Sequence, residues 1–80
     1  MSVTTTRIEA TIFKALEQLE ADPQSISRTA GFEDLDIDSL DLAELQQIIE
    51  EEFGVKIKSA ELQTLKTVGD VIDFVAARVA

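Results

Sequence analysis

The chain has no cysteine and no histidine among its 80 residues. Without cysteine no disulfide framework can support a small fold, so stability has to come from buried apolar side chains. Zinc sites built from Cys and His are excluded, as are Ser-His-Asp and Cys-His catalysis within this chain. Aromatics are scarce as well, with four Phe and no Tyr or Trp. The core is therefore expected to be aliphatic, and a hydrophobic content of 45% suffices to build one. Positive charge is the next shortage. Seven Lys and Arg stand against sixteen Asp and Glu, giving a formal charge of −9. Nucleic-acid phosphates would be repelled rather than neutralised, and an anionic membrane surface is disfavoured for the same reason. A partner with a basic face, or a divalent cation, is the natural complement. No apolar run approaches the roughly 20 residues of a membrane span. The opening Met1-Ser2-Val3-Thr4-Thr5-Thr6 lacks the charged and apolar regions of a signal peptide. A cytoplasmic monomer is expected.

What is present is helical patterning within one small domain over residues 1–80. Ile8, Ile12, Leu16 and Leu19 recur at helical spacing. Thr6 with Glu9 reads as a capping box, and Asp22-Pro23 as a stop. The first helix is thus expected over about residues 6–21. Leu42, Leu45, Ile49 and Phe53 mark a second, over 39–53, with Asp38 placed to cap its start and Gly54 to close it. Ser59 opens a short third helix, over 59–64. Thr67 with Asp70 forms another capping box, and the last helix, over 67–79, buries Val68, Val71, Ile72, Val75 and Val79. The expected fold is all-α: a small four-helix bundle of three longer helices and one short third helix, with a long first loop. That loop, from about Asp22 to Asp38, is long for a compact domain. Ile26, Phe32, Leu35 and Ile37 provide apolar anchors, so an ordered crossover is expected.

The acids are unevenly placed. Nine of the sixteen fall between Glu33 and Glu52, an interval without lysine or arginine. A solvated helix face is the plain explanation. Yet Glu44 and Glu51 lack the basic i,i+4 neighbour that stabilises exposed helices. Glu50-Glu51-Glu52 also lies near the negative end of the helix dipole. Small costs gathered on one element favour a docking surface for a basic partner.

Asp34-Leu35-Asp36-Ile37-Asp38 matches the first acidic positions of an EF-hand calcium loop, but the match then fails. The sixth position, which needs glycine, is Ser39; the twelfth, which needs a bidentate glutamate, is Leu45. Only weak divalent binding is expected there, and no metal site is assigned. A second reading starts from Phe32-Glu33-Asp34-Leu35-Asp36-Ile37-Asp38-Ser39-Leu40-Asp41-Leu42-Ala43-Glu44-Leu45. This stretch resembles the attachment-site motif of acyl carrier proteins. The likeness continues through Glu50-Glu51-Glu52-Phe53-Gly54-Val55-Lys56-Ile57 and Thr67-Val68-Gly69-Asp70-Val71-Ile72-Asp73-Phe74, and covers about residues 6–79.

A serine in the first turn of a helix is ordinarily a cap. Here Asp38 can cap, which leaves the Ser39 hydroxyl free beside unpaired N–H groups and the positive helix end. With no histidine to activate it, Ser39 is an acceptor rather than a catalyst. The resemblance implies that a phosphopantetheinyl transferase, with magnesium, places 4'-phosphopantetheine on Ser39, and that the arm then carries acyl groups as thioesters. It implies docking positions at Asp38, Leu40, Asp41, Glu44, Gln47, Glu50 and Glu51. The partners implied there are ketosynthase, acyltransferase, reductase and dehydratase type enzymes with basic docking faces. It implies an acyl pocket involving Leu45, Ile49, Ile57, Leu62, Leu65 and Val71, although each of these would be apolar in any helical bundle. Gln47 stands where fatty-acid carriers often have an apolar residue, which hints at a specialised pathway. The expected function is a non-catalytic carrier of type II fatty-acid or polyketide biosynthesis. The alternatives are an unmodified acidic adaptor for a basic partner, and a weak calcium binder.

Overall fold

The computed structural model describes residues 5–79. It contains α1 (Thr5–Gln18), α2 (Ser39–Phe53), α3 (Ser59–Leu62) and α4 (Val68–Val79), with no strand among the described residues. The architecture is the expected all-α one. α1 packs against α2 and α4, α2 also packs against α4, and α3 stands outside this mutual packing.

The periodic residues form the core. Ile8, Ile12 and Leu16 of α1, Leu45 and Ile49 of α2, and Val68, Val71, Ile72 and Val75 of α4 are all buried. Leu19, Leu42, Phe53 and Val79 pack half-buried at its margin. Each full burial of such a side chain contributes about 1.5–3 kcal/mol. No aromatic ring enters this central set; of the phenylalanines only Phe32 is buried, and it comes from the long loop.

Both ends of α1 differ from expectation. Thr6 lies inside the helix and so cannot be its N-cap, a position that requires non-helical backbone; the residue ahead of Thr5 lies outside the described residues. The helix ends at Gln18 rather than near residue 21, and it ends before Asp22-Pro23 is reached. The stop is a Schellman motif around Glu20, which adopts a left-handed conformation with φ 70°. The Ala21 amide donates to the Leu16 carbonyl (3.0 Å) and the Glu20 amide to that of Glu17 (3.0 Å). Ala21 is buried along with Leu16, the apolar contact that usually accompanies this motif.

The long loop is ordered and uses the same device a second time. Residues 32–37 make one helical turn that closes with Asp36 at φ 57°. The Ile37 amide reaches the Phe32 carbonyl (2.9 Å), and the Asp36 amide that of Glu33 (3.1 Å). Phe32, Leu35 and Ile37 are buried, as their apolar character suggested, and Ile26 is half-buried. Backbone bonds then tie the loop to the start of α4: Phe32 N to Lys66 O (3.2 Å), Val68 N to Ala30 O (3.0 Å) and Gly69 N to Arg28 O (2.7 Å). Arg28 adds ion pairs to Asp73 (2.7 Å) and Glu9 (3.6 Å), bracing the loop against α4 and α1. Its guanidinium is raised above its ordinary pKa, chiefly by the Asp73 hydrogen bond, which outweighs the opposing desolvation.

α4 opens on the expected capping box. The Asp70 amide donates to the Thr67 hydroxyl (3.2 Å), and the Thr67 amide to the Asp70 carboxylate (3.2 Å). α3 is one turn only and ends at Leu62, because Gln63 and Thr64 pass into a turn. It contributes no buried residue. Among the described residues no helix is long and apolar enough to cross a membrane.

Candidate functional site

The turn at Asp36 delivers the chain to the start of α2. Asp38, in extended backbone, is the N-cap: its Oδ1 accepts from the Asp41 amide (2.9 Å), and its own amide donates to Asp41 Oδ2 (3.4 Å). This is a reciprocal capping box made by two aspartates. Ser39 therefore opens the helix without capping it. It is exposed, and its hydroxyl makes no hydrogen bond among the described residues. The amides of Ser39 and Leu40 are first-turn donors that have no acceptor among the described residues. An exposed hydroxyl at the positive end of a 15-residue helix can take a phosphodiester without displacing any protein contact. The residues present thus fit such a group, although the flanking Asp38 and Asp41 carboxylates set a like charge beside it.

The expected docking residues share the exposed side of α2. Leu40 is the one large apolar side chain markedly exposed among the described residues, at 77%. Glu44, Gln47, Glu50 and Glu51 are exposed and Asp41 is half-exposed. Among the described residues no α2 carboxylate forms a salt bridge, and Gln47 Nε2 donates to Glu51 Oε1 (3.4 Å). The helix thus presents uncompensated negative charge around a single leucine. Gly54 closes it at φ 68°, its amide on the Glu50 carbonyl (2.9 Å).

The six expected acyl-pocket residues divide into two groups. Leu45, Ile49, Ile57 and Val71 lie in the closed core, whereas Leu62 and Leu65 pack half-buried on its outside. Open space lies elsewhere. A groove of about 220 Å³ runs from Ser39 between α2 and the α3 segment, walled by Ser39, Leu42, Ala43 and Gln46 on one side and Ser59, Leu62 and Gln63 on the other. Of the expected set only Leu62 lines it. The Gln46 side chain spans from α2 to donate to the Ile57 carbonyl. Sequence reasoning missed Gln46, Ser59 and Gln63. A signal for Gln46 existed, because Ser39, Leu42, Ala43 and Gln46 stand at i, i+3, i+4 and i+7 on one helix face.

A second cleft, acidic, lies between the end of α1 and the loop turn, with Glu20, Asp22, Asp34, Asp36 and Asp41 on its walls. Asp38 is turned to its capping role, so the Asp34-Asp36-Asp38 series does not converge as an EF-hand loop would. Among the described residues no group of three or more acids is arranged to hold a metal ion.

Comparison with known proteins places this geometry in context. A family model described as "Phosphopantetheine attachment site" matches residues 11–75. The acyl carrier protein of Thermosynechococcus vestitus is 51% identical over 65 residues, which span 80% of this chain and 80% of that protein. That of Chlamydia caviae is 42% identical over 64 residues, or 79% of this chain and 83% of the relative. That of Caulobacter vibrioides is 39% identical over 66 residues, or 81% and 85%.

Proposed function

The chain belongs to the acyl carrier protein family, whose cofactor is covalently attached 4'-phosphopantetheine, and we propose that Ser39 is the attachment point. The observation that carries this reading is the division of labour at the α2 start. Asp38 caps the helix, which leaves the Ser39 hydroxyl exposed and without a protein partner among the described residues. The arm supplies the thiol that the sequence lacks, and the chain then holds acyl groups as thioesters for type II fatty-acid or polyketide enzymes in the cytoplasm.

This chain's own part is to present, orient and shelter. Ser39 has no histidine to take its proton, and membership of the family implies that a separate phosphopantetheinyl transferase, with magnesium, carries out the transfer. The N-terminal end of α2 stabilises the phosphodiester through the unpaired Ser39 and Leu40 amides. Leu40 and the acids Asp38, Asp41, Glu44, Glu50 and Glu51 give basic partner enzymes one apolar contact within a negative field. Such a field raises encounter rates and falls off with salt.

The test is intact mass before and after incubation with coenzyme A, magnesium and a broad-specificity transferase. A gain of one phosphopantetheine, absent in Ser39→Ala, is expected. No gain with a transferase that loads a control carrier refutes the assignment and favours an unmodified acidic adaptor.

A further inference from the structure

The observed groove and the expected acyl pocket are separated by the residues that wall the groove, among them Leu42, Gln46 and Leu62. Leu45, Ile49, Ile57 and Val71 lie in a closed core, at 1% exposure or less. The groove outside them begins at Ser39 and has a volume of about 220 Å³. Gln46 borders the groove, and its amide nitrogen donates to the backbone carbonyl of Ile57, a residue whose side chain belongs to the core. Gln46 thus ties the segment that carries Ile57 to α2 at the edge of the groove.

We propose that Gln46 is a specificity-determining latch, holding the 54–58 segment shut against α2 and deciding which carried chains enter the core. The proposal rests on the reading that Ser39 bears the arm, but the latch itself exists in the unmodified protein. A primary amide has two N–H donors and a carbonyl acceptor, and the Ile57 bond uses one donor. A chain with a carbonyl or hydroxyl group can meet the remaining groups while the latch stays closed. Ser59 and Gln63 add further polar partners across the groove. A saturated chain offers nothing to the amide and leaves it covered and unpaired, which is unfavourable. The saturated chain therefore gains shelter only where the latch opens, and the groove as it stands favours oxygenated chains.

The first measurement uses the unmodified protein. Amide hydrogen exchange across residues 54–58 is compared in the parent, in Gln46→Glu, which keeps the shape but removes the donor, and in Gln46→Leu. Exchange about fivefold faster in both variants, measured against core amides of α4, is expected from the loss of one hydrogen bond. Equal exchange in all three overturns the latch, whatever happens at Ser39. The second measurement uses protein loaded with octanoyl or β-keto-octanoyl chains and follows the methyl signals of Ile49, Ile57 and Val71. Octanoyl should perturb them strongly in Gln46→Leu and weakly in the parent. In the parent, β-keto-octanoyl should instead shift the Gln46 side-chain amide. Equal perturbation of the core methyls by octanoyl in parent and variant overturns the specificity role. Failure to load Ser39 counts against the attachment reading alone, because the exchange experiment has already decided the latch.

Discussion

Gly69→Ala sets two physical effects against each other, and the structure decides which prevails. Gly69 is the second residue of α4, where alanine would ordinarily improve helix propensity by up to about 1 kcal/mol. Its amide has no intrahelical acceptor and instead donates to the Arg28 carbonyl at 2.7 Å. A Cβ at this position would lie 2.7 Å from that carbonyl oxygen and 3.4 Å from Arg28 Cβ. The obstacle is backbone, held in place by the Arg28 ion pairs and by the neighbouring bond from Val68 to Ala30, so it cannot swing aside as the end of a flexible side chain can. Overpacking of this kind costs about 1–3 kcal/mol, and loss of the Gly69 hydrogen bond adds about 1 kcal/mol. After the propensity gain, a net destabilisation of about 1–3 kcal/mol remains. For a domain of this size that is a fall in Tm of roughly 4–24 °C. Thermal unfolding followed by far-ultraviolet circular dichroism measures it, with faster exchange of the Val68 and residue-69 amides as the local signature. A Tm equal to or above that of the parent would falsify the reasoning, because it would mean that the loop is not held against α4 as described.

Asp38→Ala should lower stability by about 1 kcal/mol and speed exchange of the Asp41 amide, whereas Asp38→Ser retains most of the cap; an unaffected Asp41 amide would contradict the capping role. Glu20→Gly should raise stability by about 0.5–1 kcal/mol, since it relieves a left-handed non-glycine residue at a partial cost in unfolded-chain entropy. Its thermal midpoint should rise by several degrees, and a fall would show that the Glu20 side chain makes a contribution the Schellman geometry does not.

The parts of the fold that were legible in the sequence are those whose signals are local. α2 and α4 declare their starts through Asp38 and through Thr67 with Asp70, and α2 declares its end through Gly54. The end of α1 was not legible because the left-handed position carries glutamate rather than glycine or asparagine. What fixes the turn there is the burial of Ala21 and Leu16 in the core, which depends on packing by the other helices. The loop anchors Phe32, Leu35 and Ile37 could be read from their apolar character. The path between them could not, because the bonds that set it run between backbone groups of residues 28–32 and 66–69, which no side chain announces. The candidate site followed the same division. Ser39 and the acids around it were visible as a linear motif, whereas the groove depends on where a four-residue helix comes to rest across from α2.

That four-residue helix also gives the molecule two scales of opening. α3 fully buries no side chain, and among the described residues it is held by polar contacts at both ends, with the half-buried Leu62 packed against the core between them. At one end is the Gln46 bond to Ile57, and at the other the Glu61 pair with Arg78 (2.7 Å), whose guanidinium also lies over the Phe74 ring at 4.5 Å. An exposed ion pair of this kind contributes about 0–1 kcal/mol. Lifting α1, α2 or α4 exposes the aliphatic core, to which α3 contributes no fully buried residue. The segment can therefore come away and return as a separate cooperative unit while the three long helices stay folded. Opening there costs a few surface contacts and leaves the mutual packing of the three long helices intact.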